Sequence, residues 1–303
     1  MTCYTPTQGY WSKHLNKNGN RTVVFNTNEG YVDRPITIKC GQCIGCRLDK
    51  SIEWAVRSTH ESSGHDDNCF ITLTFDDDHL PENNSLDQKY VELFMKRLRK
   101  YVGKPIKFYH CGEYGELNQR PHHHIIVFGY DFPDKILLRK NKDTLLYRSA
   151  VLESLWRDPK TKESYGYTSV GSVTFQSAAY VARYATKKIS GNRKEMHYLS
   201  PPDIITGECV PIRPEYSTQS RGIGESWINE FHRDVYPHDF VVINGRKFKP
   251  PKYYDNFLKK FDPDMFEYVK QKRIQNALKR SEEHTSELQS LAYLVCRLLL
   301  EKK

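Results

Sequence analysis

An α+β fold built on an antiparallel sheet is what this sequence predicts, and three observations predict it. Runs of β-branched and aromatic residues at Asn68–Phe75, Ile106–Gly112, Pro121–Phe128 and Gly166–Phe175 read as strands. Between and around them, apolar residues recur at helical spacing over Ile44–Ser62, Asp87–Tyr101 and Ser177–Gly191. Finally, the polar segment from Tyr114 to Pro121 is short enough to be a hairpin connection, and a hairpin makes its two strands antiparallel.

From the N-terminus, Met1–Lys39 is polar and reads as loops with two short strands at Thr22–Phe25 and Ile36–Ile38. Cys40, Cys43 and Cys46 follow in Cys-Gly-Gln-Cys-Ile-Gly-Cys. That spacing suits a thiolate-bound metal such as zinc, or else a tight glycine-rich turn entering the next helix. A closed metal site needs a fourth ligand, from Cys3, Cys69, Cys111 or a histidine. Leu48, Ile52, Ala55, Val56 and Thr59 then mark one face of a helix to about Ser62. The strand Asn68–Phe75 delivers Asp76, Asp77 and Asp78 to a turn, and Asp87–Tyr101 is the most regular helix, with Tyr90, Val91, Phe94, Leu98 and Tyr101 on its apolar face.

Beyond the hairpin, a charged loop carries Lys135, Arg139, Lys140 and Lys142, a helix is expected over Leu145–Trp156, and the Gly166–Phe175 strand leads to a helix capped by Ser177. Asn192–Pro214 reads as a long loop. Ser220-Arg221-Gly222-Ile223-Gly224 offers backbone amides and the Arg221 guanidinium to a phosphate. Asn244-Gly245 centres a hairpin over Phe240–Lys249, and Asp262–Lys279 is a basic helix with Lys272, Arg273 and Lys279 outward. From Ser281 the chain resembles a translated sequencing-library adapter and is set apart from the fold. The expected organisation is an N-terminal region over 1–66, a core over 67–230, a basic extension over 231–280 and the tail 281–303.

Lys+Arg 46 against Asp+Glu 37 gives a net charge of +9, with a pI near 9.0 and 13% aromatic residues. This balance favours a polyanion that can also be stacked upon, and nucleic acid fits it best. With no apolar run of membrane-spanning length and no signal-peptide core, the expectation is a soluble intracellular protein without a membrane partner, its cysteines reduced.

Two stretches carry chemistry. In Arg120-Pro-His-His-His-Ile-Ile-Val-Phe-Gly129, strand alternation puts His122 and His124 on one face and His123 on the other. A hairpin returns Glu113 beside them. Two imidazoles and a carboxylate with open positions suit Mg²⁺ or Mn²⁺ better than a closed structural zinc. In the second stretch Tyr180 and Tyr184 lie four apart on one helical face, with Lys187 one turn beyond Tyr184. A phenol has a pKa of about 10 and becomes a serviceable nucleophile beside a cation or a Lewis-acidic metal.

Together the Phe70–Phe75 strand, the His-x-His strand and the Tyr-x-x-x-Tyr-x-x-Lys helix resemble the HUH endonucleases. Within that superfamily they resemble the rolling-circle replication initiators of microviruses, especially the gokushovirus branch. The cysteine stretch and Glu113-Tyr114-Gly115-Glu116 share the likeness, which spans roughly residues 30–230. His123 departs from it, standing where the family usually carries an apolar or aromatic residue, and Arg183 stands where relatives often carry lysine.

The resemblance implies an RRM-like, ferredoxin-like core and a metal-dependent nickase and ligase of single-stranded DNA at a phage origin. It would act in the host bacterial cytoplasm with the host helicase and polymerase. His122, His124 and Glu113 would hold the ion. Tyr184, which completes Tyr-x-x-Lys, would attack first, Tyr180 would make the second cut, and Lys187 would stabilise phosphate charge. Arg183, Lys188 and Arg221 would contact DNA. The alternatives are a non-catalytic single-stranded DNA binder and a related transposase or relaxase.

Overall fold

Strict alternation in β4 (Asn68–Thr74) sets two faces at the centre of the fold. Cys69, Ile71 and Leu73 are fully buried toward one side, while Phe70 and Thr72 are half-buried toward the other. The computed structural model describes residues 3–115, 118–141, 144–184, 194–200, 202 and 206–279, without the side chains at 141, 184, 194 and 195. The chain divides into two units at Ser226/Trp227.

The first unit begins with β1 (Thr7–Leu15), β2 (Arg21–Val24) and β3 (Gly30–Ile38), a three-stranded antiparallel sheet of order β2-β1-β3, followed by α1 (Ile44–Ser63). The main sheet is antiparallel and seven-stranded, in the order β10-β5-β6-β4-β9-β8-β7. Its strands are β4, β5 (Lys107–Tyr114), β6 (Pro121–Phe128), β7 (Ile136–Asn141), β8 (Thr144–Arg148), β9 (Thr168–Gly171) and β10 (Tyr216–Gln219). The α+β expectation holds.

One face of this sheet buries Cys69, Ile71, Leu73, Ile125 and Val127 against α2 (Gln88–Val102) and α3 (Ala150–Leu155). Asp87 caps α2 by accepting the Lys89 N–H, and Gly103 ends it in the left-handed conformation at φ 69°. The opposite face, with Tyr109, Cys111, Ile126 and Phe128, packs under α1 and α4 (Phe175–Tyr184) through Ala55, Ala178, Val181 and Ala182. Small residues at that contact let the two helices and the sheet approach closely. Each large apolar side chain buried here stabilises by about 1.5–3 kcal/mol.

Several expectations are corrected. The N-terminal stretch forms a sheet in which β1 is mostly exposed, so no alternation announced it. The segment read as a charged loop contains β7, and the first part of the expected helix at 145–156 is β8, whose Tyr147 pairs with Val170. Helix α3 starts only at Ala150, where Ser149 accepts the Leu152 N–H. In α4 the cap is Thr174, not Ser177: the Ser177 N–H donates to Thr174 Oγ1 at 3.0 Å while the Thr174 N–H donates to Ser177 Oγ at 2.8 Å, a reciprocal capping box. The stretch read as a long loop holds the short α5 (Lys194–His197) and a bridge between Leu199 and Pro211, and β10 follows it at the sheet edge.

The second unit contains most of α6 (Glu225–Val235), the hairpin of β11 (Val241–Ile243) and β12 (Arg246–Phe248), α7 (Lys252–Phe261) and a helical run over 263–279. The turn occupies positive φ at Asn244 and Gly245, as an Asn-Gly hairpin requires. Helices α6 and α7 were not foreseen. Arg273, expected to point outward, is instead clamped by Asp239 and Asp255, and Tyr236 donates to Asp255 at 2.8 Å. Residues 281–303 lie outside the described residues. Among those described, no helix is long and apolar enough to cross a membrane.

Candidate metal centre and tyrosine helix

Register places the first three candidates together. On β5 and β6, Glu113 lies directly opposite His122 and Cys111 opposite His124, while on β4 Thr74 and Thr72 face the same two histidines. All of these side chains share the sheet face covered by α1 and α4. Gly112 makes the neighbouring position possible, because a Cβ there would stand 3.0 Å from Tyr216 and 3.2 Å from the His123 ring.

His122 Nε2 lies 2.7 Å and His124 Nε2 2.9 Å from the same Glu113 oxygen, Oε1. His122 Nδ1 is 3.1 Å from the Arg120 carbonyl, which can only accept, so the ring proton of neutral His122 belongs on Nδ1. Its Nε2 is then a bare acceptor aimed at an acceptor, and a positive species is needed between them. His124 Nδ1 is 3.0 Å from Thr72 Oγ1, which orients the second ring. The other carboxylate oxygen of Glu113, Oε2, is buried with no hydrogen-bond partner. One ligand atom from each residue lies within 4.8 Å of the others. The donor set therefore fits a divalent cation: two imidazole nitrogens, a carboxylate with an unused oxygen, and His122 partly open to solvent.

Burial pushes the Glu113 carboxyl up, but hydrogen bonds to His122 and His124 outweigh it and the net shift is below the ordinary value. Burial lowers His124 despite its bond to Glu113, which keeps the ring neutral and available as a ligand. On the other face His123 points away as alternation requires, but it is fully buried. Its Nδ1 meets His110 Nε2 at 3.1 Å, and His110 Nδ1 meets Thr218 Oγ1 at 3.0 Å. Burial holds both rings neutral, His110 at about 3. His123 is thus a structural residue whose loss would be felt, a point that alternation alone does not reveal.

Helix α4 brings Tyr180 to this centre. Its ring lies edge-on to His124 with centroids 5.2 Å apart, and Phe70 stacks on the other side of His124 at 5.5 Å. Tyr184 follows one turn later, with its side chain outside the described residues, as are Lys187 and Lys188 entirely. Arg183 and Arg221 are exposed. The loop around Arg221 does not offer the amides expected of it: the Gly224 N–H donates to Glu61 at 2.7 Å, and Arg57 holds the Ile223 carbonyl at 3.0 Å. A cleft of about 290 Å³ opens beside His122, lined in part by Thr74, Phe75, Arg120 and Tyr167. Arg120 is fixed there by Asp77 and the Phe75 carbonyl, and Asp76 accepts from His79, so these two acidic residues serve the turn.

Thr72, Phe70 and Tyr167 escaped the sequence reading. The first two follow from pairing β4 against β6 by alternation, whereas Tyr167 has no signal beyond being an aromatic residue near a strand end. The cysteines converge separately: Cys3 joins Cys40, Cys43 and Cys46, with one sulfur from each within 4.8 Å of the rest.

The model of the replication-associated protein ORF2 family matches residues 68–189. The chain is 35% identical over 240 residues to replication-associated protein VP4 of Bdellovibrio phage phiMH2K, covering 74% of this chain and 68% of that one. It is 31% identical over 265 residues to replication-associated protein ORF2 of Spiroplasma virus 4, covering 82% and 76%. With replication-associated protein ORF4 of Chlamydia phage 1 it shares 32% identity over 232 residues, covering 74% and 54%. No solved structure matches it.

Proposed function

Because this chain belongs to the replication-associated proteins of small phages, we propose that it initiates rolling-circle replication by nicking and rejoining single-stranded DNA at a phage origin. The observation that carries this reading is the convergence of Glu113, His122 and His124 on one point with the Tyr180 ring against His124. A stacking platform for single-stranded DNA needs neither a buried carboxylate nor paired imidazoles.

Glu113, His122 and His124 would hold Mg²⁺ or Mn²⁺, which supplies Lewis-acid polarisation of the scissile phosphate. The chain's own residues do the rest. Thr72 and the Arg120 carbonyl fix the two imidazoles, so that the ligand nitrogens face the centre without reorganisation. A phenol on α4 loses its proton to solvent and its oxygen attacks phosphorus. The bond to the 3′ oxygen breaks, that oxygen takes up a proton, and a 5′-phosphotyrosyl link remains. The free 3′-hydroxyl can prime a host polymerase behind a host helicase. Attack by the second tyrosine on the regenerated origin allows the 3′-hydroxyl to return and close the circle.

Tyr180 is the phenol already at the centre, and this weighs against the order expected from Tyr-x-x-Lys, in which Tyr184 leads. Lys187 keeps its proposed role in balancing phosphate charge. The cleft beside His122 gives the strand a path, with Tyr167, 77% exposed, as a stacking surface. Incubation with circular single-stranded phage DNA and Mn²⁺ or Mg²⁺ tests the reading. Metal-dependent linearisation that EDTA abolishes is expected, and intact circles under every metal tried would overturn it.

A further inference from the structure

We propose that Cys3, Cys40, Cys43 and Cys46 bind one zinc ion in a closed tetrahedral site, and that this site fixes the start of α1 and, through α1, the tyrosine helix. The second half rests on the reading of α4 given above; the first does not.

Geometry favours a single ion. Four thiolates about 2.3 Å from one zinc sit roughly 3.8 Å apart. Here Cys43 Sγ and Cys3 Sγ are 3.9 Å apart, and all four sulfurs lie within 4.8 Å of one another. All four are free thiols rather than disulfides. A cluster that spread four thiolates over several irons would hold them further apart.

The backbone around the sulfurs is arranged for thiolates. Amides of Gln42 and Cys43 donate to Cys40 Sγ at 3.4 and 3.3 Å, the Tyr4 amide donates to Cys43 Sγ at 3.4 Å, and the Cys40 amide donates to Cys3 Sγ at 3.3 Å. The Thr5 hydroxyl adds a bond to Cys40 Sγ at 3.3 Å. Gly41, at φ 74°, supplies the left-handed residue that lets the turn fold its amides onto the preceding sulfur. Cys43 occupies the N-cap of α1 but makes no side-chain capping bond, and the first turn carries no acidic residue. A thiolate there lies at the positive end of the helix. Cys46 is buried and the other three are half-buried, as a closed structural site requires.

From this anchor α1 reaches the tyrosine helix directly. Ser51 Oγ donates to the Ala179 carbonyl at 3.0 Å, and Ala55 packs with Ala178, Val181 and Ala182. Ala179 immediately precedes Tyr180, so a displacement of α1 is passed to the residue beside His124.

The test is metal analysis of the full-length protein, expressed with zinc and iron both supplied and dialysed against EDTA. One zinc per chain is expected. It should survive in Cys209→Ser and in His122→Ala, and fall at least tenfold in Cys3→Ser and Cys40→Ser. If those variants do not fold, mercurial titration of the wild type reads the same claim, with one zinc released as four protected thiols react. Absence of zinc, iron in its place, or zinc retained by Cys3→Ser would overturn the site, and none of these readings depends on nicking. For the second half, hydrogen exchange of the 175–184 segment should accelerate about tenfold or more in Cys3→Ser. Unchanged exchange in a zinc-free variant would remove the link to α4.

Discussion

Two acceptors 2.7 Å apart, His122 Nε2 and Glu113 Oε1, are the feature from which the function follows. Replacing either imidazole removes a ligand but leaves the basic surface that supplies most DNA affinity. His122→Ala and His124→Ala should therefore lose strand cleavage by at least about a hundredfold while oligonucleotide binding, read by fluorescence anisotropy, changes by less than about threefold. Comparable losses of binding and cleavage would point to a collapsed fold instead. Glu113→Gln keeps the volume but removes the charge, and should behave likewise. The histidine pair and the carboxylate were legible in the sequence because strand period and a hairpin fix which side chains meet. The buried His110–His123 pair was not, since alternation gives a direction and not a degree of burial.

Elsewhere at this scale, burial pushes His60 on α1 down to about 4, and His110 is held at about 3 by burial and the nearby His124 charge. Both folded values lie below the unfolded value of about 6.5, so the unfolded chain binds protons first. Stability is fully present above about pH 6.5 and is lost as pH falls toward 4, by on the order of 1–2 kcal/mol per histidine at pH 5. Urea unfolding at pH 7.5 and pH 5 checks this; equal midpoints would contradict it.

At the scale of elements, the helix that carries the tyrosines is held by a capping box at one end and by α1 along its side. Thr174→Ala removes the oxygen that accepts the Ser177 N–H and should lower stability by about 1 kcal/mol. The same change should loosen Tyr180 against His124, so adduct formation should fall more than oligonucleotide binding. A variant with unchanged melting temperature and adduct yield would show that the cap does not matter. Elements with a strong period (α1, α2, β4, β6) were legible because one face of each is buried. Strands β1, β7 and β8 were not, because their exposed residues carry little alternation and their pairing, such as Tyr147 with Val170, is settled by distant chain. The apolar residues of 145–148 fit a helical period as well as a strand, and only the Ser149 cap tells where the helix begins.

For the whole molecule, a net charge of +9 and a seven-stranded sheet with helices on both faces place a metal-binding edge and two phenols on one basic protein. Charge predicts that single-stranded DNA binding weakens about tenfold or more between 50 and 200 mM salt, for wild type and His122→Ala alike. The second unit shows where composition misleads: Arg273 reads as part of a basic surface but is spent internally on Asp239 and Asp255. The central claim is that α4 supplies a nucleophile to the Glu113–His122–His124 centre, and mapping of the trapped adduct tests it most directly. Trypsin cuts after Arg183, so Tyr180 and Tyr184 fall in different peptides. With Mn²⁺ and an origin-containing oligonucleotide, mass spectrometry should find a nucleotide linked to Tyr180 or Tyr184, absent with EDTA and in the variant with both changed to phenylalanine. A nucleotide linked to any other residue, or an adduct that survives the double variant, would contradict the account.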